Sequence, residues 1–283
     1  MPQLHQIFAS WTKIKGSSKS IKKVINSLTQ PFEEVNSFKK EELKFDKFIH
    51  LKNIYFRYEK SKKYIIRSLD LSINKNEKLG IIGQTGAGKS TLIDLIIGLV
   101  VPTKGEIIID NQKLMNKNRT LLWRSMISYI PQNIYLSDST ITENIACGID
   151  PSKINKKLIV ESCKKAFIHD YIIQLPYGYN SLIGEMGIKL SGGQKQRIGI
   201  ARAIYKILND EKKILILDEA TSSLDIKIEK QIINSLNELS NNLTLIMVSH
   251  RYSTLSNCDR ILEVHKGAII ADGPPNKILK FEK

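Results

Sequence analysis

The stretch GQTGAGKST, residues 83–91, places glycines at 83, 86 and 88 ahead of a lysine and a serine. In this pattern the glycines let backbone N–H groups curl around β- and γ-phosphates, Lys89 supplies a compact positive charge, and the Ser90 hydroxyl can ligate Mg²⁺. An apolar run, KLGIIG, precedes it and a helical stretch, STLIDLIIGL, follows, as a phosphate-binding loop requires; a plain glycine-rich turn is the alternative. A second stretch, KILILDEATSSLD, covers residues 213–225. Residues 214–217 are uniformly apolar and predict a strand buried on both faces, with Asp218 emerging at its carboxyl end, where ligands bind in open α/β sheets. Asp218 there can hold Mg²⁺ through water, and Glu219 can orient or deprotonate an attacking water. The alternative is a solvated acidic pair closing a strand. A third stretch, KLSGGQKQRIGIARAI, residues 189–204, sets a serine and two glycines before a basic amphipathic run that predicts a helix beginning near Gln194. The N–H groups and positive dipole at such a start suit an anion.

These stretches need a sheet to hold them. Short β-type runs begin at Phe48 (FIHLKNIYFRY, YIIRSLDLSI, KLGIIG, GEIIID), and later apolar runs (ILILD, TLIMVSH, RILEVH) alternate with helical stretches such as IEKQIINSLNEL. That alternation predicts an α/β domain with a parallel sheet covered by helices. The boundary falls between residues 47 and 48. Before it, Leu4, Ile7, Phe8, Trp11 and Ile14, then Ile21, Val24, Ile25 and Leu28, recur at helical spacing, with a break expected at residues 16–18. A polar linker around Pro31 follows.

Composition narrows the classes further. The chain has 283 residues, enough for one large α/β domain and a small appendage, with ordinary values of 42% hydrophobic and 25% charged residues. Its formal charge of +15 comes mostly from lysines spread along the chain. Without an arginine cluster or interleaved aromatics, this argues against a nucleic-acid partner. No apolar run approaches the roughly 20 residues that span a bilayer; TLIDLIIGLVV is shorter and carries Asp94. The N-terminus lacks the pattern of a signal peptide. The 3 cysteines, Cys147, Cys163 and Cys258, are scattered and fit neither disulfide nor metal-ligand spacing.

Taken in order, the phosphate loop, LSGGQ, LILDEA and a later VSH resemble the ATP-binding-cassette ATPases over nearly the whole of residues 48–278. The resemblance implies a P-loop NTPase fold: a mixed sheet core covered by helices, an antiparallel β subdomain and a helical signature subdomain. It implies ATP and Mg²⁺ as ligands, held by residues 83–91, namely Gly83, Gln84, Thr85, Gly86, Ala87, Gly88, Lys89, Ser90 and Thr91. Tyr58 would stack on adenine, and Ser90, Gln132 and Asp218 would face the metal. Glu219, His250, Gln132 and Lys89 would act on the γ-phosphate and the attacking water. Ser191, Gly192, Gly193 and Gln194 would meet the γ-phosphate of an opposite subunit, and Asp225 would couple two sites across a head-to-tail dimer. Each has a plain alternative: Tyr58 as a half-buried strand aromatic, Gln132 as a loop residue, His250 as a strand-end histidine. Arg197 and Arg202 are expected to be solvated or salt-bridged.

IGEMGIKLSGGQ carries Gly184, Glu185 and Gly187 just before the signature, similar to the element exporter-type cassettes present to membrane helices. This implies a partner transmembrane domain met through the Gln132 region and Glu185, a second ATPase domain of the same or another chain, and a place at the cytoplasmic face of the plasma membrane. Residues 1–47 resemble the cytoplasmic end of an exporter's last transmembrane helix with its linker. An ordinary amphipathic helix packed on the cassette is the alternative for that segment, and a soluble ATPase clamping nucleic acid or ribosomes is the rival for the whole chain. Two departures from the family pattern stand out. Asn76 replaces a usual glycine and is expected to tolerate a left-handed turn, while NDEKK before the LILDEA strand predicts a lengthened surface loop.

Overall fold

A computed structural model describes residues 2–29, 42–59, 61–114, 116–239 and 243–279. The chain divides into two units, Met1–Glu41 and Glu42–Lys283. In the first, α1 (Pro2–Leu28) is one continuous helix of 27 residues. The expected break at residues 16–18 does not occur, because a single glycine costs a helix only about 1 kcal/mol and the turns on both sides propagate through it. Leu4, Ile7, Phe8, Trp11 and Ile14 are exposed along it. No helix among the described residues is long and apolar enough to cross a membrane. The linker predicted around Pro31 lies largely outside the described residues.

The second unit begins ahead of Phe48. Leu43 and Phe45 are buried in its core, and Phe45 packs edge-on against Trp123 with ring centroids 5.6 Å apart. Asp110 then accepts the N–H groups of Asp46, Lys47 and Phe48 at 2.8 to 2.9 Å, fixing where the chain enters its first strand.

Along the chain of this unit come β1 (Phe48–Phe56), β2 (Ile66–Asn74), β3 (Lys78–Ile82), α2 (Lys89–Ile97), β4 (Lys104–Ile109) and β5 (Gln112–Lys113). Next are α3 (Lys117–Ser125), β6 (Ile127–Ile130), α4 (Ile141–Ile145), α5 (Lys156–Lys165), α6 (His169–Ile173) and α7 (Gly192–Asp210). The remainder holds β7 (Ile214–Asp218), α8 (Ile226–Leu239), β8 (Thr244–Val248), α9 (Tyr252–Leu255), β9 (Arg260–His265) and β10 (Ala268–Gly273). They form an antiparallel sheet ordered β2-β1-β4-β5 and a mixed sheet ordered β10-β9-β3-β8-β7-β6. The mixed sheet is parallel except for β10, which pairs antiparallel with β9.

β7 is buried at every position, as its apolar run predicts. Because strand side chains alternate, Leu215 and Leu217 enter one hydrophobic cluster with the helices α4 to α8, while Ile214 and Ile216 enter another with α2 and the antiparallel sheet. The strand is therefore held from both faces, and its end, Asp218, has a fixed position. Asn76 adopts the left-handed conformation expected of it, with φ 63°, and its N–H donates to Thr244 at 2.8 Å. The lengthened loop before β7 is absent. α7 runs through Asp210, leaving only residues 211–213 as the connection, because the extra residues continue the helix until Glu211 ends it at φ 50°.

Candidate functional site

The phosphate loop follows β3 and leads into α2. Gly83 has φ 149°, and a Cβ there would lie 2.2 Å from the Val264 carbonyl oxygen; Gly88 caps α2 in the left-handed region at φ 105°. No side chain fits the first position, and only glycine adopts the second without strain. The loop so formed wraps Lys89, whose Nζ donates to the carbonyls of Gly83 at 2.7 Å and Gln84 at 3.2 Å. Lys89 is 7% exposed. A cation held this way, beside N–H groups at a helix start, suits an anion arriving from outside.

Asp218, at the end of β7, is 6% exposed. The Ser90 hydroxyl hydrogen-bonds it, burial and the neighbouring Glu219 charge raise its pKa above the ordinary aspartate value, and Lys89 acts in the opposite direction. The Tyr129 hydroxyl approaches the same carboxylate at 3.5 Å. A serine hydroxyl and a partly desolvated carboxylate in contact are hard oxygen donors that fit Mg²⁺. Among the described residues there is no cluster of three His, Cys, Asp or Glu for another kind of metal centre.

Glu219 follows in a left-handed turn, φ 50°, with its N–H donating to the Val248 carbonyl of β8 at 3.0 Å. This strained conformation turns the side chain away from the strand. Its carboxylate accepts from Gln132 Nε2 at 2.9 Å, and His250 Nε2 lies 3.0 Å from its other oxygen. Two residues far apart in sequence, Gln132 and His250, thus converge on the Glu219 carboxylate, at the carboxyl ends of β6, β7 and β8.

The remaining candidates sit elsewhere in the chain. Tyr58 is exposed just past β1, edge-on to Phe56 at 5.0 Å. Ser191 is the N-cap of α7 in a capping box: its hydroxyl accepts from the Gln194 N–H, and the Gln194 side chain accepts from the Ser191 N–H. The helix therefore begins at Gly192, not near Gln194, because the two side chains satisfy its first turn. Among the described residues, no hydrogen bond joins Tyr58 or the signature residues to the phosphate loop. Asp225 caps α8, its Oδ1 accepting from the Ile228 N–H at 3.0 Å. Arg197 and Arg202 are half-buried, and no salt bridge to either occurs among the described residues. They bond backbone carbonyls, Arg197 to Phe167 at 2.7 Å and Arg202 to Asn144 at 2.7 Å and Tyr135 at 3.0 Å, because the carbonyls left open by turns and helix ends need donors.

Glu185 lies in a 3-10 turn, Glu185–Gly187. A Cβ on Gly187 would lie 2.9 Å from Leu136, and Leu182 bridges Thr140, so this turn rests on the segment that follows Gln132. Around them Tyr135, Leu182, Met186 and Ile188 are exposed.

Sequence reasoning missed Glu229 on α8. It is 1% exposed and accepts from Thr221 and Thr254 at 2.7 Å each and from Arg251 at 2.6 Å. The signal was present: Glu229, Ile232, Ile233 and Leu236 share the buried face of α8, and a carboxylate on an apolar stripe demands partners.

A phosphate loop on β3, acids at the end of β7 and a mixed sheet define an α/β P-loop NTPase domain, and the capped LSGGQ helix narrows the class. The sequence profile of the ABC transporter family matches residues 66–222, and the chain belongs to that family. It is 39% identical over 235 residues to the leukotoxin export ATP-binding protein LtxB of Aggregatibacter actinomycetemcomitans, a match covering 83% of this chain and 32% of that protein. It is 37% identical over 278 residues to the leukotoxin translocation ATP-binding protein LktB of Mannheimia haemolytica, covering 98% of this chain and 38% of that one. With the putative multidrug export ATP-binding/permease protein YgaD of Bacillus subtilis the identity is 37%, covering 83% and 39%. The chain thus spans about two fifths or less of these relatives. A solved structure of a bacterial Atm1-family ABC exporter with ATP bound superposes with a TM-score of 0.82 at 30% identity, covering 95% of this chain and 46% of that one.

Proposed function

We propose that this chain is the ATP-binding and ATP-hydrolysing part of an ABC exporter at the cytoplasmic face of the cell membrane. The observation that carries the proposal is the convergence of Gln132 and His250 on Glu219, beside Asp218, Ser90 and the enclosed Lys89. Lys89 and the loop N–H groups hold the β- and γ-phosphates of ATP, Tyr58 supplies a face for the adenine, and Glu219 takes a proton from the attacking water while His250 steadies it. Ser90 and Asp218, with Gln132 nearby, would hold Mg²⁺, which supplies charge neutralisation at the phosphates.

The signature residues Ser191, Gly192, Gly193 and Gln194 serve a second cassette, identical or different, in a head-to-tail pair. Their capped, exposed helix start, turned to no group of their own phosphate loop, supports this. The transmembrane domain meets the surface formed by the Gln132 segment and the Glu185 turn; the exposed apolar side chains there support it, since clustered exposed apolar groups mark interfaces. Exporter names among the relatives favour export over a soluble clamp. The match to LktB over 98% of the chain supports reading α1 and its linker, residues 1–47, as the cytoplasmic end of a membrane helix.

The test compares ATP hydrolysis by the wild-type chain and Glu219→Gln, with dimerisation followed by light scattering. Glu219→Gln is expected to lose roughly a hundredfold or more in kcat, to keep ATP binding, and to accumulate as ATP-bound dimers. Unchanged hydrolysis would remove Glu219 from this role.

A further inference from the structure

Glu219 and His250 are carried by two separate loops, one after β7 and one after β8, and one buried carboxylate is bonded to both. Thr221, two residues past Glu219, donates its hydroxyl to Glu229 Oε1 at 2.7 Å. On the other side, Arg251, the residue after His250, donates from Nη1 to Glu229 Oε2 at 2.6 Å, and Thr254 donates to Oε1 at 2.7 Å. Glu229 is 1% exposed, and Thr221 and Thr254 are 5% and 3% exposed. Water is therefore kept from the two threonine bonds, while the Arg251 side chain, 35% exposed, reaches Glu229 from the rim.

The Arg251 guanidinium strengthens the same junction. Nη1 also donates to the Leu224 carbonyl and Nη2 to the Ser222 carbonyl, both at 3.0 Å, so it spans the segment that follows Glu219. The Arg251 N–H donates to Ser249 Oγ at 3.0 Å. His250 itself is exposed, and its position is set by its anchored neighbours on either side. Gln196 of the signature helix joins the same segment, accepting from the Ser223 N–H at 2.9 Å and donating to Ser222 Oγ at 3.1 Å.

From this we infer that Glu229 is a positioning residue for hydrolysis: by holding Thr221 and Arg251 at once, it fixes the separation between Glu219 and His250. It touches neither nucleotide nor water. A carboxylate is required, because it accepts from both sides at once; an amide of the same shape turns a donor toward Thr221 and Thr254 or toward Arg251. The inference rests on the function proposed above, since it assigns a consequence to the spacing of those two side chains.

The experiment measures kcat and KM for ATP on the full chain carrying Glu229→Gln, Thr221→Val or Thr221→Ser, with melting curves to verify folding. Misplacing reacting groups by an ångström can cost about a hundredfold in rate. Glu229→Gln is expected to lower kcat at least tenfold with KM within twofold of wild type. Thr221→Val should lower kcat several-fold in the same pattern and Thr221→Ser, which keeps the hydroxyl, should restore it. If Glu229→Gln fails to fold, the Thr221 pair decides alone. Folded variants with wild-type kcat, while Glu219→Gln is inactive, would overturn the positioning role and leave the ATPase reading standing. A wild-type chain with no Glu219-dependent hydrolysis would overturn both.

Discussion

The phosphate loop and the signature segment both start a helix on glycines, yet the fold completes only one of them. At the loop, Lys89 is enclosed and its ammonium already bonded to the Gly83 and Gln84 carbonyls, with Asp218 and Ser90 in contact beside it. On the proposed reading, the loop's own share of the contacts to a triphosphate lies inside one chain. At the signature, Ser191 and Gly192 are exposed, and the Ser191 and Gln194 side chains cap only each other. The first surface has its charged groups in place, and the second offers a capped, exposed helix start. On the proposed reading, a site of the second kind gains purpose when another surface arrives carrying the anion, the arrangement the proposed head-to-tail pair would supply.

The difference has consequences that separate the two regions, and the largest is at Lys89. On the proposed reading, Lys89→Ala removes a charged donor to phosphate, and hydrogen bonds from charged groups are worth about 1.5–3 kcal/mol. ATP affinity, followed by titration with a fluorescent nucleotide, should fall roughly a hundredfold. A fall of less than about tenfold would show that the loop N–H groups dominate.

Gly199, on the signature helix α7, gives the next effect. A Cβ there would stand 2.4 to 3.0 Å from the Ile134 side chain, so the whole side chain must shift, together with the segment that follows Gln132. Gly199→Ala should cost about 1–3 kcal/mol of stability by thermal or urea melting, with a larger loss in hydrolysis than in nucleotide affinity. Equal losses would mean that α7 and the phosphate loop are not mechanically distinct.

Ser191→Ala is smaller for the single chain and more discriminating. Loss of the cap should cost about 1 kcal/mol, or roughly 2–4 °C in Tm for a domain of this size, with ATP affinity of the isolated chain unchanged within twofold. In the Glu219→Gln background the ATP-dependent dimer should weaken, as light scattering would report. If Ser191→Ala weakens nucleotide binding by the isolated chain as Lys89→Ala does, the division between a finished and an unfinished site is wrong.

The sequence was most readable where chemistry and backbone geometry share one short window. Residues 83–91 and 213–219 lie on contiguous backbone, so glycine spacing and an uninterrupted apolar run carry both the element and its function. The meeting of Gln132, Glu219 and His250 is less readable, because the order of strands β6, β7 and β8 is a long-range property that no local pattern contains; only family resemblance supplied it. Local competition produced the remaining differences. The capping box at Ser191 starts α7 earlier than the glycines suggest, and the residues before β7 lengthen a helix where a loop was expected. Glu229 was hidden because helix IEKQIINSLNEL has an acid, Glu238, on its exposed face too, and spacing alone separates the one that is buried.

The cysteines give the smallest effect and test whether the two regions also differ in how easily they open. Cys147 is exposed, whereas Cys163 and Cys258 are buried. Cys163 lies on α5, which packs against the signature helix α7. Cys258 lies beneath the phosphate-loop strand, its Sγ 3.3 Å from where a Cβ on Gly80 would stand. Burial pushes both thiols up to about 12. At pH 8 this leaves a thiolate fraction near 1 in 10,000 (about 10⁻⁴) even where a reagent can reach. Because the folded value lies above the unfolded one of about 8.5, the stabilising contribution is complete below pH 8.5 and declines as pH rises toward 12. Alkylation at pH 8 should therefore modify Cys147 quickly and the other two only through opening of the fold. Cys163 and Cys258 belong to one hydrophobic cluster, so opening should expose them together and mass spectrometry should find their rates equal within a few-fold. Faster modification of Cys163 would mean that the helices around α7 open on their own, leaving the phosphate-loop sheet intact. The unfinished site would then be mobile as well as incomplete.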